Sequence, residues 1–132
     1  MPNGFSGTNE EWERMEAPLL AVENVLADFA ATNGMQITKN YHEWPERSLT
    51  WGTRIRRLIQ LYAAESDQPT FNLWLCASQD RGLSRFWKRE FLVEKKPLEA
   101  FAPGLLQLLE EARSKLDSWT EEELEFATKI GG

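Results

Sequence analysis

Three apolar-rich runs in the middle of the chain, residues 57–64 (RLIQLYAA), 70–78 (TFNLWLCAS) and 84–95 (SRFWKREFLVEK), are joined only by turn residues. The joints are Glu65-Ser-Asp-Gln-Pro69 and Asp80-Arg-Gly82. Neither is long enough for a crossover helix, so runs of this kind are confined to antiparallel hairpins. Upstream, ITKNY at 37–41 and LTW at 49–51 alternate in the same way around a turn at Trp44-Pro45-Glu46-Arg47, with Gly52 as a bulge or break. Ile55, Leu58, Ile59 and Tyr62 also fit a helical spacing, which leaves 53–64 open between strand and helix. The hairpin signal after this segment favours strand.

Helical patterns flank this block. Trp12, Met15, Leu19, Val22, Leu26 and Phe29 recur at spacings of three and four, predicting a helix over 9–33. Thr8 or Asn9 is its N-cap and Asn33-Gly34 its stop. Pro18 inside the stripe predicts a kink there, or a start near Glu16. Leu105, Leu109, Ala112, Leu116 and Trp119 form a second stripe after Pro103. Thr120-Glu-Glu-Glu123 reads as a capping box opening a short acidic helix. The expected fold is therefore α+β: an antiparallel meander of four to five strands, with an N-terminal helix and C-terminal helices packed on one face (α-β-β-β-β-α-α). At 132 residues and 42% hydrophobic composition it is one domain, 1–132, with 1–8 as a disordered lead-in.

Charge is segregated. Residues 1–35 carry one basic and six acidic side chains, 36–96 eleven and seven, and 97–132 three and eight. A net charge of −6 argues against bulk duplex-DNA binding, and the basic centre is its one exception. With a single cysteine, Cys76, no internal disulfide and no multi-thiolate metal site can form. No basic leader and no membrane-length apolar run is present, so the expectation is a cytoplasmic protein with no membrane partner, no metal and no cofactor.

Splitting each strand by parity gives two faces. Ile59, Leu61 and Ala63 with Phe71, Leu73, Leu75 and Ala77 form the face expected to meet the helices. Trp87, Phe91 and Val93 continue it, with Arg89 out of place. The other parity mixes aromatics with cations: Arg56, Leu58, Gln60 and Tyr62; Asn72, Trp74, Cys76 and Ser78; Phe86, Lys88, Glu90 and Leu92. If the helices cover the first face, this second one is a contact surface. The candidate binding residues are Arg56, Tyr62, Trp74, Phe86 and Lys88. Three readings compete. The face takes another protein, a second copy of this chain included. It takes single-stranded nucleic acid, with the aromatics stacking bases and Arg54, Arg56, Arg81, Arg85 and Lys88 holding phosphates. Or the C-terminal helices or the loop around Trp44 cover it as a second small core.

Catalysis finds few residues. His42 is the only histidine, and a Cys76–His42 nucleophilic pair is outweighed by an exposed histidine and a small buried thiol. No phosphate-loop or dinucleotide glycine pattern occurs, and the paired carboxylates sit on helix surfaces. In size, acidity and an N-terminal helix ending Leu26-Ala-Asp-Phe29…Gly34-Met35, about twenty residues in all, the chain resembles type III secretion chaperones. That resemblance implies a small acidic dimer with helices around a twisted antiparallel sheet. The chain departs from the pattern at 53–96, where such chaperones place a helix between strands. In topology the meander followed by a helix is also similar to sheet-face single-strand binders of the transcriptional coactivator type. The function expected is a non-enzymatic, dimeric protein-interaction domain. The alternatives are a single-strand nucleic-acid binder and, third, a chaperone-like protein or small-metabolite enzyme.

Overall fold

The computed structural model describes residues 5, 7–41, 43–65, 67–100 and 103–130. The α+β antiparallel architecture is as the sequence predicts, with six strands in the order β1-β2-β3-β4-β5-β6 and every pair antiparallel. The chain runs α1 (Asn9–Ala21), α2 (Glu23–Thr32), β1 (Gln36–Tyr41), β2 (Pro45–Trp51), β3 (Arg56–Ala64), β4 (Thr70–Arg81) and β5 (Ser84–Pro97). It closes with a 3-10 turn at Leu98–Ala100, α3 (Leu105–Ser118), a second 3-10 turn at Glu121–Glu123, and β6 (Glu125–Lys129). His42, and residues 1–4 and 6 of the expected lead-in, lie outside the described residues.

Thr8 is the N-cap of α1 through a reciprocal box: its hydroxyl accepts from the Glu11 amide at 3.1 Å, and the Glu11 carboxylate accepts from the Thr8 amide at 2.9 Å. The single helix expected over 9–33 is two. Pro18 lies inside α1, and the break comes four residues later at Val22, whose amide turns back to the Leu19 carbonyl. Re-aiming the axis there keeps Leu19, Val22 and Leu26 all buried. Of the residues left open between strand and helix, Arg56–Ala64 are strand and 53–55 are loop. Ile59, Leu61 and Ala63 alternate buried along β3, and the helical spacing of Ile55, Leu58, Ile59 and Tyr62 is not used.

The final helix is also not formed. The Thr120 capping box closes around Glu123, but only for one turn. Leu124 then drops into the core, and Glu125–Lys129 extends along the start of β5, where Phe126 meets Phe86 edge-on at 5.8 Å. Thr128 and the alternation of EFATK suit a strand, and the neighbouring free edge of β5 outweighs the three-glutamate helix start.

All three helices bury their stripes on one face of the sheet. Met15 and Leu19 of α1, Leu26 and Phe29 of α2, and Leu105, Leu109, Ala112 and Leu116 of α3 share one continuous core with Leu49, Ile59, Leu61, Leu73, Leu75 and Ala77 of the sheet. Arg47 and Arg57, both on that face, have partners. Fully buried Arg47 faces Glu23 at 3.2 Å and Glu16 at 3.6 Å. The Arg57 guanidinium donates to the Leu116 carbonyl at 3.1 Å, at the end of α3. No helix among the described residues is long and apolar enough to cross a membrane.

Strand β5 departs from simple parity. Leu73 pairs with Val93 but Trp74 with Phe91, so Leu92 is an extra residue; Phe71 pairs with Lys96, so a second extra residue lies between 93 and 96. Lys95 takes a left-handed φ of 55° there, and its amide donates to the Asn72 side chain at 2.9 Å. Each bulge flips the faces of the residues beyond it. Phe86, Lys88 and Glu90 therefore stand on the helix-bearing face, and Trp87, Arg89 and Phe91 on the open one. Val93 alone stays with the core, as expected. Lys95→Gly is expected to raise stability by about 0.5–1 kcal/mol, because a Cβ in this region costs about 1–2 kcal/mol and glycine entropy returns part of it. Asn72→Ala is expected to lower it by about 1–2 kcal/mol. Urea unfolding of both variants checks the pair.

Candidate functional site

The open face carries Glu46, Ser48 and Thr50 from β2, Arg56, Leu58, Gln60 and Tyr62 from β3, and Trp74, Cys76, Ser78 and Asp80 from β4. Arg85, Trp87, Arg89 and Phe91 complete it from β5. Among the described residues no helix packs on it, since the buried stripes of α1, α2 and α3 all belong to the other side.

Four strands shape a concavity of about 410 Å³ near its centre, lined by Trp44, Glu46, Gln60, Tyr62, Trp74, Arg89 and Phe91. The register explains the convergence. Ser48, Gln60, Trp74 and Phe91 are successive partners in one row from β2 to β5, and Glu46 opposite Tyr62 belongs to the row beside it, so two neighbouring rows meet at the concavity. Trp44, in the turn before β2, forms the rim while also touching the core, which is the part of the covering-loop reading that the structure retains. Gln60 donates to the Ser48 hydroxyl at 3.2 Å, and Arg89 lies over the Trp87 ring at 4.1 Å. Phe91 remains 41% exposed, large for a phenylalanine that nothing in the chain requires at the surface.

Of the five sequence-based candidates, Arg56, Tyr62 and Trp74 stand on this face, and Tyr62 and Trp74 share the concavity. Phe86 and Lys88 do not. Phe86 lies under the Arg81 guanidinium at 4.2 Å, and Lys88 sits 4.7 Å above the Trp119 ring with Glu123 at 3.4 Å. Sequence reasoning misses Glu46, Arg89 and Phe91 as site residues. Arg89 is the one misfit in the expected core parity, and that misfit is the available signal.

The charge segregation of the sequence has a physical account in the fold. Acidic ends fold back onto basic strands. Glu23 pairs with Lys39 and Arg47; Glu121 takes a two-pronged grip from Arg54 at 2.9 and 3.0 Å, a bond from Gln79, and the Arg81 guanidinium on its carbonyl. These partners hold carboxyls below their ordinary value of 4.5, chiefly Lys39 for Glu23, Gln79 then Arg54 for Glu121, and the Thr120 amide for Glu123. A lowered folded value means that each contact supports the fold above pH 4.5 and is lost as pH falls through that lowered value. The pairs are exposed, so each is a small term.

On the open face the field is polarised. Arg56 and Arg85 lie at the end where β3 begins, with Asp80 on Arg85 at 3.0 Å. At the other end burial, then Glu94 and Glu46, push the Tyr62 hydroxyl up. Burial likewise raises the Cys76 thiol, with Arg89 and Arg85 opposing, which is the opposite of what an activated nucleophile needs. Its candidate partner His42 is not among the described residues, and no group of three metal-ligating side chains occurs among them.

A second, larger concavity of about 760 Å³ runs between α2 and α3, with Val25, Phe29 and Leu106 on its floor and Asp28 and Glu110 on its rim. Val25 and Leu106 lie off the helical stripes, which is its only trace in the sequence. In comparisons with protein families, with curated proteins and with solved structures, nothing matches this chain.

Proposed function

We propose that the protein is a non-enzymatic interaction module that receives another protein on its open sheet face, a second copy of itself being the partner that face fits. The observation that carries this reading is the aromatic concavity: Trp44, Tyr62, Trp74 and Phe91 converge on one uncovered site of about 410 Å³. Tryptophan and tyrosine are the residues around which protein interfaces concentrate their binding energy. The polarity of the face supplies the choice of partner. Two copies packed face to face about a two-fold axis that runs across the strands bring the Arg56 and Arg85 end of one against the Glu46 and Glu94 end of the other.

Single-stranded nucleic acid has less support. Of the five cations assigned to phosphates, Arg81 and Lys88 are drawn to the helix side by Glu121 and Glu123, and the other three, Arg54, Arg56 and Arg85, cluster at one end of the sheet rather than forming a track along a strand. Glu46 in the concavity also opposes a strand that carries a phosphate at every nucleotide.

The test is Trp74→Ala combined with Arg56→Ala. Both side chains are outside the core, so the double variant is expected to unfold cooperatively while self-association falls by about a hundredfold or more. A variant that loses its cooperative transition would place these residues in the core and end the interface reading.

A further inference from the structure

Strand β4 continues for three residues beyond its last pair with β3, Arg56 opposite Ser78, and the loop from Gly52 to Ile55 closes over the resulting notch. The notch is a cavity of about 190 Å³. Its walls hold three guanidiniums, Arg54, Arg56 and Arg85, two hydroxyls, Thr53 and Ser78, one carboxamide, Gln79, and one carboxylate, Asp80. Asp80 is spent on Arg85 and Glu121 on Arg54 from the far side. Arg56 has neither an ion pair nor a hydrogen-bonded side-chain partner among the described residues. Two further features suit an anion. Gly52 fixes the loop, since a Cβ there would lie 2.1 Å from the Ile55 carbonyl oxygen, so Thr53 and Arg54 are held over the notch. And Arg56, Ser78 and Arg85 project from the same face of neighbouring strands, so their donors converge.

We propose that this notch is a binding site for a phosphoryl dianion. Arg56, the N–H groups that Glu121 leaves on Arg54 and Asp80 leaves on Arg85, and two hydroxyls match an acceptor with three oxygens and up to two charges, whereas one carboxylate would leave donors unused. Asp80 positions Arg85 and leaves its remaining N–H groups for the ligand. The phosphoryl group can belong to a free phosphomonoester or to a phosphorylated residue of a protein chain. The site does not require self-association. Where two copies do associate, phosphate competes with the partner's carboxylates for the same arginines.

The experiment is a titration of inorganic phosphate into ¹⁵N-labelled protein at constant ionic strength, following the arginine Nε–Hε signals, in the wild type and in Trp74→Ala. The expected result is a saturable shift of Arg54, Arg56 and Arg85 in at least one of the two, with Arg14 and Arg113 unmoved. Affinity should fall about tenfold in Arg56→Gln, the loss expected for one charged hydrogen bond. Ser78→Ala should weaken it less. A nine-residue phosphoserine peptide that binds more tightly than phosphate assigns the group to a protein chain, and equal binding assigns it to a small phosphomonoester. Either supports the site. A linear drift of all arginines in both proteins is screening alone and overturns it. So does binding to an oligothymidylate but not to phosphate. The interface reading is untouched by those failures, because its test reads chain mass.

Discussion

Removing two carboxylates that face Arg47, in Glu16→Ala combined with Glu23→Ala, is expected to cost about 3–5 kcal/mol, because it takes both of these charges away from a fully buried guanidinium. Arg47 is fully buried on the helix-bearing face of β2, with Glu23 at 3.2 Å, Glu16 at 3.6 Å, and its own donation to the Glu46 carbonyl at 3.0 Å. Arg47→Met should behave quite differently. It keeps the aliphatic stem that packs beneath α1 and α2, and it leaves two carboxylates that sit nearer solvent and can hydrate. A change within about 1.5 kcal/mol is expected, of either sign. The contrast between the two variants is the informative quantity, and urea unfolding reads it. Equal losses would mean that Arg47 is held by packing and that the ion pairs contribute little.

Gly52→Ala is the second large effect. At φ 92° the residue sits where a side chain is strained, and the added Cβ would meet the Ile55 carbonyl oxygen at 2.1 Å. The backbone alone accounts for about 1–3 kcal/mol, and the contact is with main chain, which cannot rotate away. A loss of about 3 kcal/mol or more is expected by urea unfolding. Gly34→Ala and Gly82→Ala share a positive φ but have open space around the new methyl, so they should cost less. If all three cost the same, the close approach at Gly52 is not real.

The legible part of the fold is the part written in strict periodicities. The alternation of Phe71, Leu73, Leu75 and Ala77 identifies the side of β4 that meets the helices, and the three-and-four spacing from Trp12 to Phe29 marks the helical residues at the N-terminal end, though as one helix without the break at Val22. What misleads is the assumption that a long strand keeps one parity. The run from 84 to 95 reads as uninterrupted alternation, yet its extra residues near Leu92 and Lys95 reset the faces. Neither bulge carries a glycine to announce it: the left-handed position is a lysine, held by an asparagine on the neighbouring strand. The consequence for the site is direct. Unbroken parity puts Phe86 and Lys88 on the open face, and they stand on the other; it puts Phe91 and Arg89 among the core positions, and they line the concavity.

The C-terminal misreading has a different cause. Thr120 and Glu123 do form the capping box, so the local signal is correct, but a box only starts a helix. Whether the chain then continues as helix depends on what else it can pair with, and the start of β5 offers Glu125–Lys129 an edge. That is a tertiary fact, invisible in a window of ten residues. The net charges of the segments are legible, but not where they go. The basic middle looks like a footprint for phosphates in the sequence, and in the fold Glu121 and Glu123 occupy much of it.

The measurement that bears most directly on the open face is chain mass by light scattering over a concentration series at low and moderate salt, on the wild type and on Trp74→Ala combined with Arg56→Ala. Each chain weighs 15.3 kDa. The account predicts two chains at the upper end of the series, with weaker association at higher salt and one chain throughout for the variant. A wild type that stays at one chain under every condition would contradict self-association on this face. A dimer that the variant leaves intact would place the contact elsewhere on the molecule.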